Sequence, residues 1–413
     1  MHRETTLPSR AARTALALVA FAACASETPD TASTAFAAPI EMAAPSPMGS
    51  NTPSLVVDGT GRMFLSWTER RADSSVAIRL ASFKDGAWDS TRTIAENRSF
   101  FVNWADFPAV SVLSDGALAA HWLEREGGGK YAYGVRVVRS TDMGKSWSAA
   151  VTPHTDGLEA EHGFVTMWPQ ANGALGLAWL DGRKSAMPDS TREMTVRTAV
   201  MNTDGTLARE AVLDARSCDC CQVASASTTA GNVVVYRDRT SEEIRDIAAV
   251  RSTSEGWTAP VPVHADNWHY SGCPVNGPSI AARGDTVAVA WFTAAHDTAR
   301  VLLAISTDGG ANFAAPTRVD DGDPIGRAVI AFDASGAALV GWIERLSADS
   351  ASLRVRRVRN GNSVAAQTVS VLSAARQSGF PRMVVTGDTA YFAWTATKPS
   401  LHVQMAKLPL PSR

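Results

Sequence analysis

The residues of this 413-residue chain that could do chemistry crowd into a few short segments. Cys218-Asp219-Cys220-Cys221 and the distant Cys273 supply four thiols. Thiols in such a pattern form either disulfides or a thiolate site for zinc or copper(I), with His269 or His264 as an added nitrogen ligand. Adjacent Cys220 and Cys221 cannot easily share one partner, so both readings stay open. A second set is charged: Asp106, Glu161, Asp181 and Asp238 among the acids, and Arg183, Arg237, Arg245 and Arg327 among the bases. Carboxylates of this kind suit proton transfer, and arginines suit a two-pronged grip on an anion. Trp104, Trp268, His162 and Tyr270 lie in or beside the same segments.

The elements that must position these residues are repeated. An aromatic residue closes a β-patterned strand at Trp67, Trp122, Trp179, Tyr236, Trp291, Trp342 and Trp394, at spacings of 51 to 57 residues. Before each comes a short apolar strand and a tight turn, as in Pro108-Ala109-Val110-Ser111-Val112 followed by Ser114-Asp115-Gly116. A period of this size is that of propeller blades. Seven aromatic strands predict an all-β, seven-bladed propeller over residues 38–410. The last unit offers three strands, and a segment near Ala38 to Ala43 is expected to supply its fourth and close the ring. Three of the aromatic strands end in the same way, Trp67 to Arg70, Trp122 to Arg125 and Trp342 to Arg345, with an acid and then an arginine. Such repetition predicts an inter-blade ion pair in each, and leaves Asp181-Gly182-Arg183 and Arg237-Asp238-Arg239 as the better functional candidates.

One further motif recurs. Ser140-Thr141-Asp142-Met143-Gly144-Lys145-Ser146-Trp147 returns as Ser306-Thr307-Asp308-Gly309-Gly310-Ala311-Asn312-Phe313, with weaker echoes at residues 82–88 and 252–257. It resembles the Asp-box, or bacterial neuraminidase repeat, of sialidase-like β-propellers. Strand order within a blade puts these hairpins on one face as scaffold and the segments named above on the other, where a site is expected. The resemblance also makes a six-bladed ring the alternative count. A sialidase-like reaction would use three arginines to clamp a carboxylate, an acid/base carboxylate and a tyrosine activated by a glutamate. The resemblance therefore implies Arg183, Arg237 and Arg327 as clamps, Asp106 as the acid, and Glu161 with Tyr270 as the activated pair. The chain departs from the family at blade one, where Asn51-Thr52-Pro53 replaces the expected arginine-bearing segment. The nearest analogue, Gly379-Phe380-Pro381-Arg382, stands in the last blade.

The N-terminus reads as a processing segment. Arg3, Arg10 and Arg13 precede an apolar run that ends at Cys24, in the order of a bacterial lipobox. Residues 1–24 are the expected signal peptide, Cys24 the lipidation site, and residues 25–37 a flexible tether. An exported, membrane-anchored lipoprotein, periplasmic or cell-surface, is the expectation, touching a membrane only through its lipid. Export makes disulfides the default among the remaining cysteines. A formal charge of −2 gives no reason to expect a nucleic-acid partner, and none is expected. A glycan or other small ligand at the channel mouth is the expected partner. Three function classes remain: an exo-acting glycosidase of sialidase type, a non-catalytic binding or assembly propeller, and a metal or redox protein centred on the cysteines.

Overall fold

The computed structural model describes residues 1–2, 36–187 and 191–411; Cys24 and most of the expected tether lie outside the described residues. Seven antiparallel sheets follow one another along the chain, as the aromatic repeat predicts. Blade one is built from Ser50–Val57, Met63–Arg70, Val76–Lys84 and Arg92–Asn97. Blade seven uses Arg382–Thr386, Thr389–Ala396 and His402–Pro409, and its fourth strand is Ile40–Met42, paired through Glu41 with Ala406. Pairing the two ends of the fold leaves the ring with no open blade. Blade two is the thinnest. Its ladder has three strands, and the fourth shrinks to one bridge between Val137 and Val151.

The core is divided into seven seams, one between each pair of neighbouring blades. Each repeated aromatic enters the seam it shares with the preceding blade: Trp67 lies with Met405 and Val403, Trp122 with Phe64 and Leu80, and Trp342 with Val301 and Leu303. Trp179, Tyr236, Trp291 and Trp394 repeat the arrangement in the remaining seams. Burying one such ring removes roughly 200 Å² from water, worth about 5 kcal/mol at ~25 cal/mol per Å². The seams therefore hold the ring together.

The recurring acid after each tryptophan is not the inter-blade ion pair expected from its repetition. Two residues along a strand point to the same side, so the acid reaches back to the indole. Trp67 Nε1 donates to Glu69 at 2.7 Å, Trp122 to Glu124 at 2.8 Å and Trp342 to Glu344 at 2.5 Å. Glu69 and Glu124 also pair with Arg79 and Arg136 on the third strand of their own blades, both at 3.2 Å.

Both full Asp boxes fold alike. Asp142 accepts Ser146 N at 2.9 Å and Asp308 accepts Asn312 N at 2.9 Å. Ser140 and Ser306 take the amides of Gly144 and Gly310 at 2.8 and 2.9 Å. Those glycines sit at φ +83° and +84°, where a Cβ is penalised. The echo at 82–88 differs, since Asp89 rather than Asp85 receives Ser82 N.

Candidate functional site: the axial channel

The first strand of every blade faces the axis with no further strand to pair with, so polar side chains must tie the blades there. Each of the seven seams carries such a bond. Val110 N reaches Ser54 Oγ at 3.4 Å, Phe164 N reaches Asp106 Oδ1 at 2.9 Å, and Thr166 and Ser225 share their hydroxyls at 2.7 Å. Gly277 N donates to Gln222 Oε1 at 3.0 Å, and Arg327 N to Asn276 Oδ1 at 2.7 Å. Arg327 Nη1 then reaches Gly379 O at 2.9 Å, and Arg382 Nε reaches Pro53 O at 3.2 Å. Gln222 also crosses from blade four to blade two, donating to Ala105 O at 2.6 Å. Gly277 must be glycine, because a Cβ there would run into the Gln222 backbone.

Inside this girdle lies a cavity of about 370 Å³, lined by Asp106, His121, Gln222, Phe380 and Arg382 among others. Arg382 lies over the Phe107 ring at 4.0 Å. Its two terminal nitrogens have no hydrogen-bond partner and no carboxylate among the described residues. Burial pushes its pKa down to about 10. His121 is buried with Nδ1 unpartnered; burial first, and the nearby Arg382 charge second, push it down to about 3, so it is neutral. Asp106 is also buried, and its Oδ2 has no partner. Burial, and secondarily the charge of Glu161, hold that carboxyl well above the usual range.

The expected arginine clamp does not assemble. Arg183 is tied to Asp181 at 2.7 Å and Asp156 at 3.0 Å. Arg237 is 1% exposed and donates to the carbonyls of Asn276, Arg245 and Phe292. Arg245 pairs with Glu243 at 2.7 Å and reaches Tyr270 O at 3.1 Å. Arg327 is buried over the Trp104 ring at 5.1 Å as a girdle residue. The Arg327 guanidinium bonds only through Nη1, and that of Arg382 only through Nε; of the two, Arg382 lines the cavity.

The expected Glu161–Tyr270 pair is replaced by Glu161–Tyr133. Tyr133 begins the third strand of blade two and bridges Glu161 across the seam to blade three, and its hydroxyl donates to Glu161 at 2.5 Å. Tyr270 is 41% exposed and stacks on Trp268 at 5.4 Å, while Trp268 covers Arg237 at 4.8 Å. Burial pushes Glu161 up to about 7 against the lowering effect of the Tyr133 bond. Burial, then the charges of Asp106 and Glu161, pushes the Tyr133 phenol far up.

Asp181 takes the indole of Trp179 at 2.8 Å, the same duty that Glu69 performs. Burial would raise it, but the bonds from Arg183 and Trp179 and the His162 ring hold it below its ordinary value. Asp238 accepts Arg239 N at 2.6 Å, and burial pushes it up to about 6. His162 is buried against Asp156 at 3.0 Å and stacks on His154 at 3.8 Å. Trp104 stacks on Phe380 at 6.0 Å beside the girdle.

The four cysteines do meet. Cys218 is bonded to Cys221 and Cys220 to Cys273, with Cα–Cα distances of 5.9 and 6.2 Å. The adjacent pair thus takes separate partners. In the chain-entropy model the Cys220–Cys273 link contributes about 4 kcal/mol and the short Cys218–Cys221 loop about 2 kcal/mol. His264 and His269 are exposed and stand outside the sulfur group.

Tyr133, His121, Gln222 and Asn276 carried no signal in the sequence that marked them; Arg382 did, through Gly379-Phe380-Pro381-Arg382.

Solved structures similar to this chain share its fold at low identity. One is a protein of unknown function from Dyadobacter fermentans, 14% identical over 91% of this chain and 99% of that one, with a TM-score of 0.50. A second is the polysaccharide lyase Uly1, 8% identical over 87% and 90%, with a TM-score of 0.52. A mutant of the NanB sialidase from Streptococcus pneumoniae aligns over 90% and 94% at 9% identity and a TM-score of 0.47. No curated protein matches. The BNR repeat-like domain matches residues 61–393, most of the propeller, and the chain belongs to that family.

Proposed function

We propose that this propeller binds glycans through an acidic sugar, whose carboxylate is received in the axial channel by Arg382. The observation that carries this reading is a guanidinium in the channel wall with both terminal nitrogens unengaged and no acid beside it. A half-buried cation without a counter-ion is partly desolvated, and an incoming carboxylate offsets that cost. His121 adds a neutral donor or acceptor in the same cavity wall. The ring also explains the displaced motif. Arg382 bonds Pro53, so an arginine from blade seven stands at the blade-one position where the family pattern expects one.

The test is binding of an acidic oligosaccharide and of its carboxyl-reduced form, followed by titration calorimetry. The acidic form should bind and the reduced form should not. Arg382→Gln should weaken the acidic form by about 2–5 kcal/mol. Equal binding of both forms, or wild-type affinity in Arg382→Gln, would sink the proposal.

Hydrolysis of sialidase type is a second reading, favoured by the Tyr133–Glu161 bond beside Asp106. It requires turnover of a sialoside or other glycoside that Tyr133→Phe abolishes while binding survives. Export and lipidation at Cys24 belong to the same proposal, on the basic–apolar–Ala-Ala-Cys order. Cys24→Ala should move the protein from the membrane to the soluble fraction.

A further inference from the structure

The cysteine cluster is stapled at a place where the backbone holds itself without the staples. Cys218 N donates to Arg237 O at 3.0 Å, and Ser217 bridges Asp238. Gln222, next to Cys221, is fixed by its bonds to Ala105 and Gly277, and Gly277 follows Cys273 by four residues. Three of the four sulfurs are already spaced for a common ligand, and the fourth, that of Cys273, is bonded to Cys220. Cys218 and Cys220, which are not bonded to each other, have their sulfurs 3.9 Å apart, and the sulfurs of Cys218, Cys220 and Cys221 lie within 4.8 Å of one another. Metal–sulfur bonds of about 2.3 Å place ligand sulfurs about 3.8 Å apart in a tetrahedron and about 4.0 Å apart in a trigonal plane. Cys218 and Cys221 are 1% exposed, and Val223, Val275 and Phe380 pack in the same cluster, so the setting is soft and apolar.

We propose that this cluster is convertible: when an external dithiol opens both disulfides, the four thiols take one thiophilic d10 cation, zinc(II) or copper(I). Each disulfide accepts two electrons and two protons from the dithiol, which leaves as its own disulfide. Binding the cation releases one proton for each thiol that becomes a ligand. Soft thiolates select these ions over hard divalent cations.

The experiment reduces the full chain with a phosphine, removes it anaerobically, and offers zinc(II) or copper(I) held by a coloured chelator. Near-UV circular dichroism reports the fold, and alkylation mapped by mass spectrometry reports each cysteine. The chain should strip the ion from at least one chelator, with Cys218, Cys220, Cys221 and Cys273 protected together. Cys220→Ser and Cys273→Ser should each weaken capture by roughly 100-fold. The arm that succeeds identifies the ion. The proposal is overturned if both ions stay with their chelators, if the serine variants capture as well as wild type, or if the reduced chain loses its native spectrum with either ion present.

Discussion

Two arginines, Arg237 packed behind Trp268 and Arg382 in the channel wall, look alike until their donors are followed. Each lies on an aromatic ring, Trp268 for one and Phe107 for the other. Burial pushes both down, to about 9 for Arg237, even with Asp266 and Asp246 raising it, and to about 10 for Arg382. Arg237 gives its nitrogens to three backbone carbonyls at the blade-four and blade-five seam. Arg382 gives only Nε, at the blade-seven and blade-one seam. A desolvated charge alone therefore marks nothing. What separates these two is that the donors of Arg382 are unfilled and face the cavity.

The sharpest way to break this contrast is to remove each guanidinium. Arg237→Ala leaves three buried carbonyls without donors, and we expect a loss of about 3–5 kcal/mol in urea unfolding. Arg382→Ala loses one carbonyl bond and an uncompensated charge, so its stability should stay within about 1 kcal/mol of wild type. Its acidic ligand should nevertheless be lost. If the two variants unfold alike, the distinction between filled and unfilled donors fails.

The carboxylates repeat the contrast and give it a pH signature. Asp181 accepts from Trp179 and Arg183 and is held ionised, whereas Glu161 accepts only from Tyr133 and is pushed up to about 7. A carboxyl whose folded pKa exceeds its unfolded value of 4.5 binds more protons when folded. Its contribution is fully present below pH 4.5 and is lost as pH rises to about 7. His154 and His121, both pushed down to about 3, oppose this by favouring the fold as pH rises towards 6.5. The difference between wild type and Glu161→Gln isolates the first effect. Wild type should lose about 3 kcal/mol relative to the variant across that window. A flat difference would mean that Glu161 is ionised throughout.

The architecture was legible because its signals are local. Each blade needs one large ring at one strand position, and each Asp box needs its serine, aspartate and glycine within a few residues. The site was hidden because its partners are remote and chemically anonymous. Arg237 is satisfied by carbonyls of Asn276, Phe292 and Arg245, and every residue carries a carbonyl. Glu161 chose Tyr133 over Tyr270 because the seam between blades two and three brings Tyr133 beside it. Arg382 seemed out of order only along the chain, since ring closure makes blade seven the neighbour of blade one.

The smallest effect tests the same rule on the repeated strand endings. Glu69 is buried, accepts Trp67 Nε1 and pairs with Arg79, while its neighbour Arg70 is exposed. Glu69→Ala strands an indole N–H inside a seam and should cost about 1–3 kcal/mol. Arg70→Ala touches no filled bond and should stay within about 0.5 kcal/mol in the same unfolding assay. Blade seven provides an internal comparison, because Trp394 is followed by Thr395 and Ala396 and its Nε1 already lacks a partner. Trp394→Phe should therefore be milder than Trp67→Phe, which abandons the Glu69 carboxylate as well as the ring's edge. Equal losses from Glu69→Ala and Arg70→Ala would restore the ion-pair reading of the Trp-x-Glu-Arg repeat and remove the indole bond from the account.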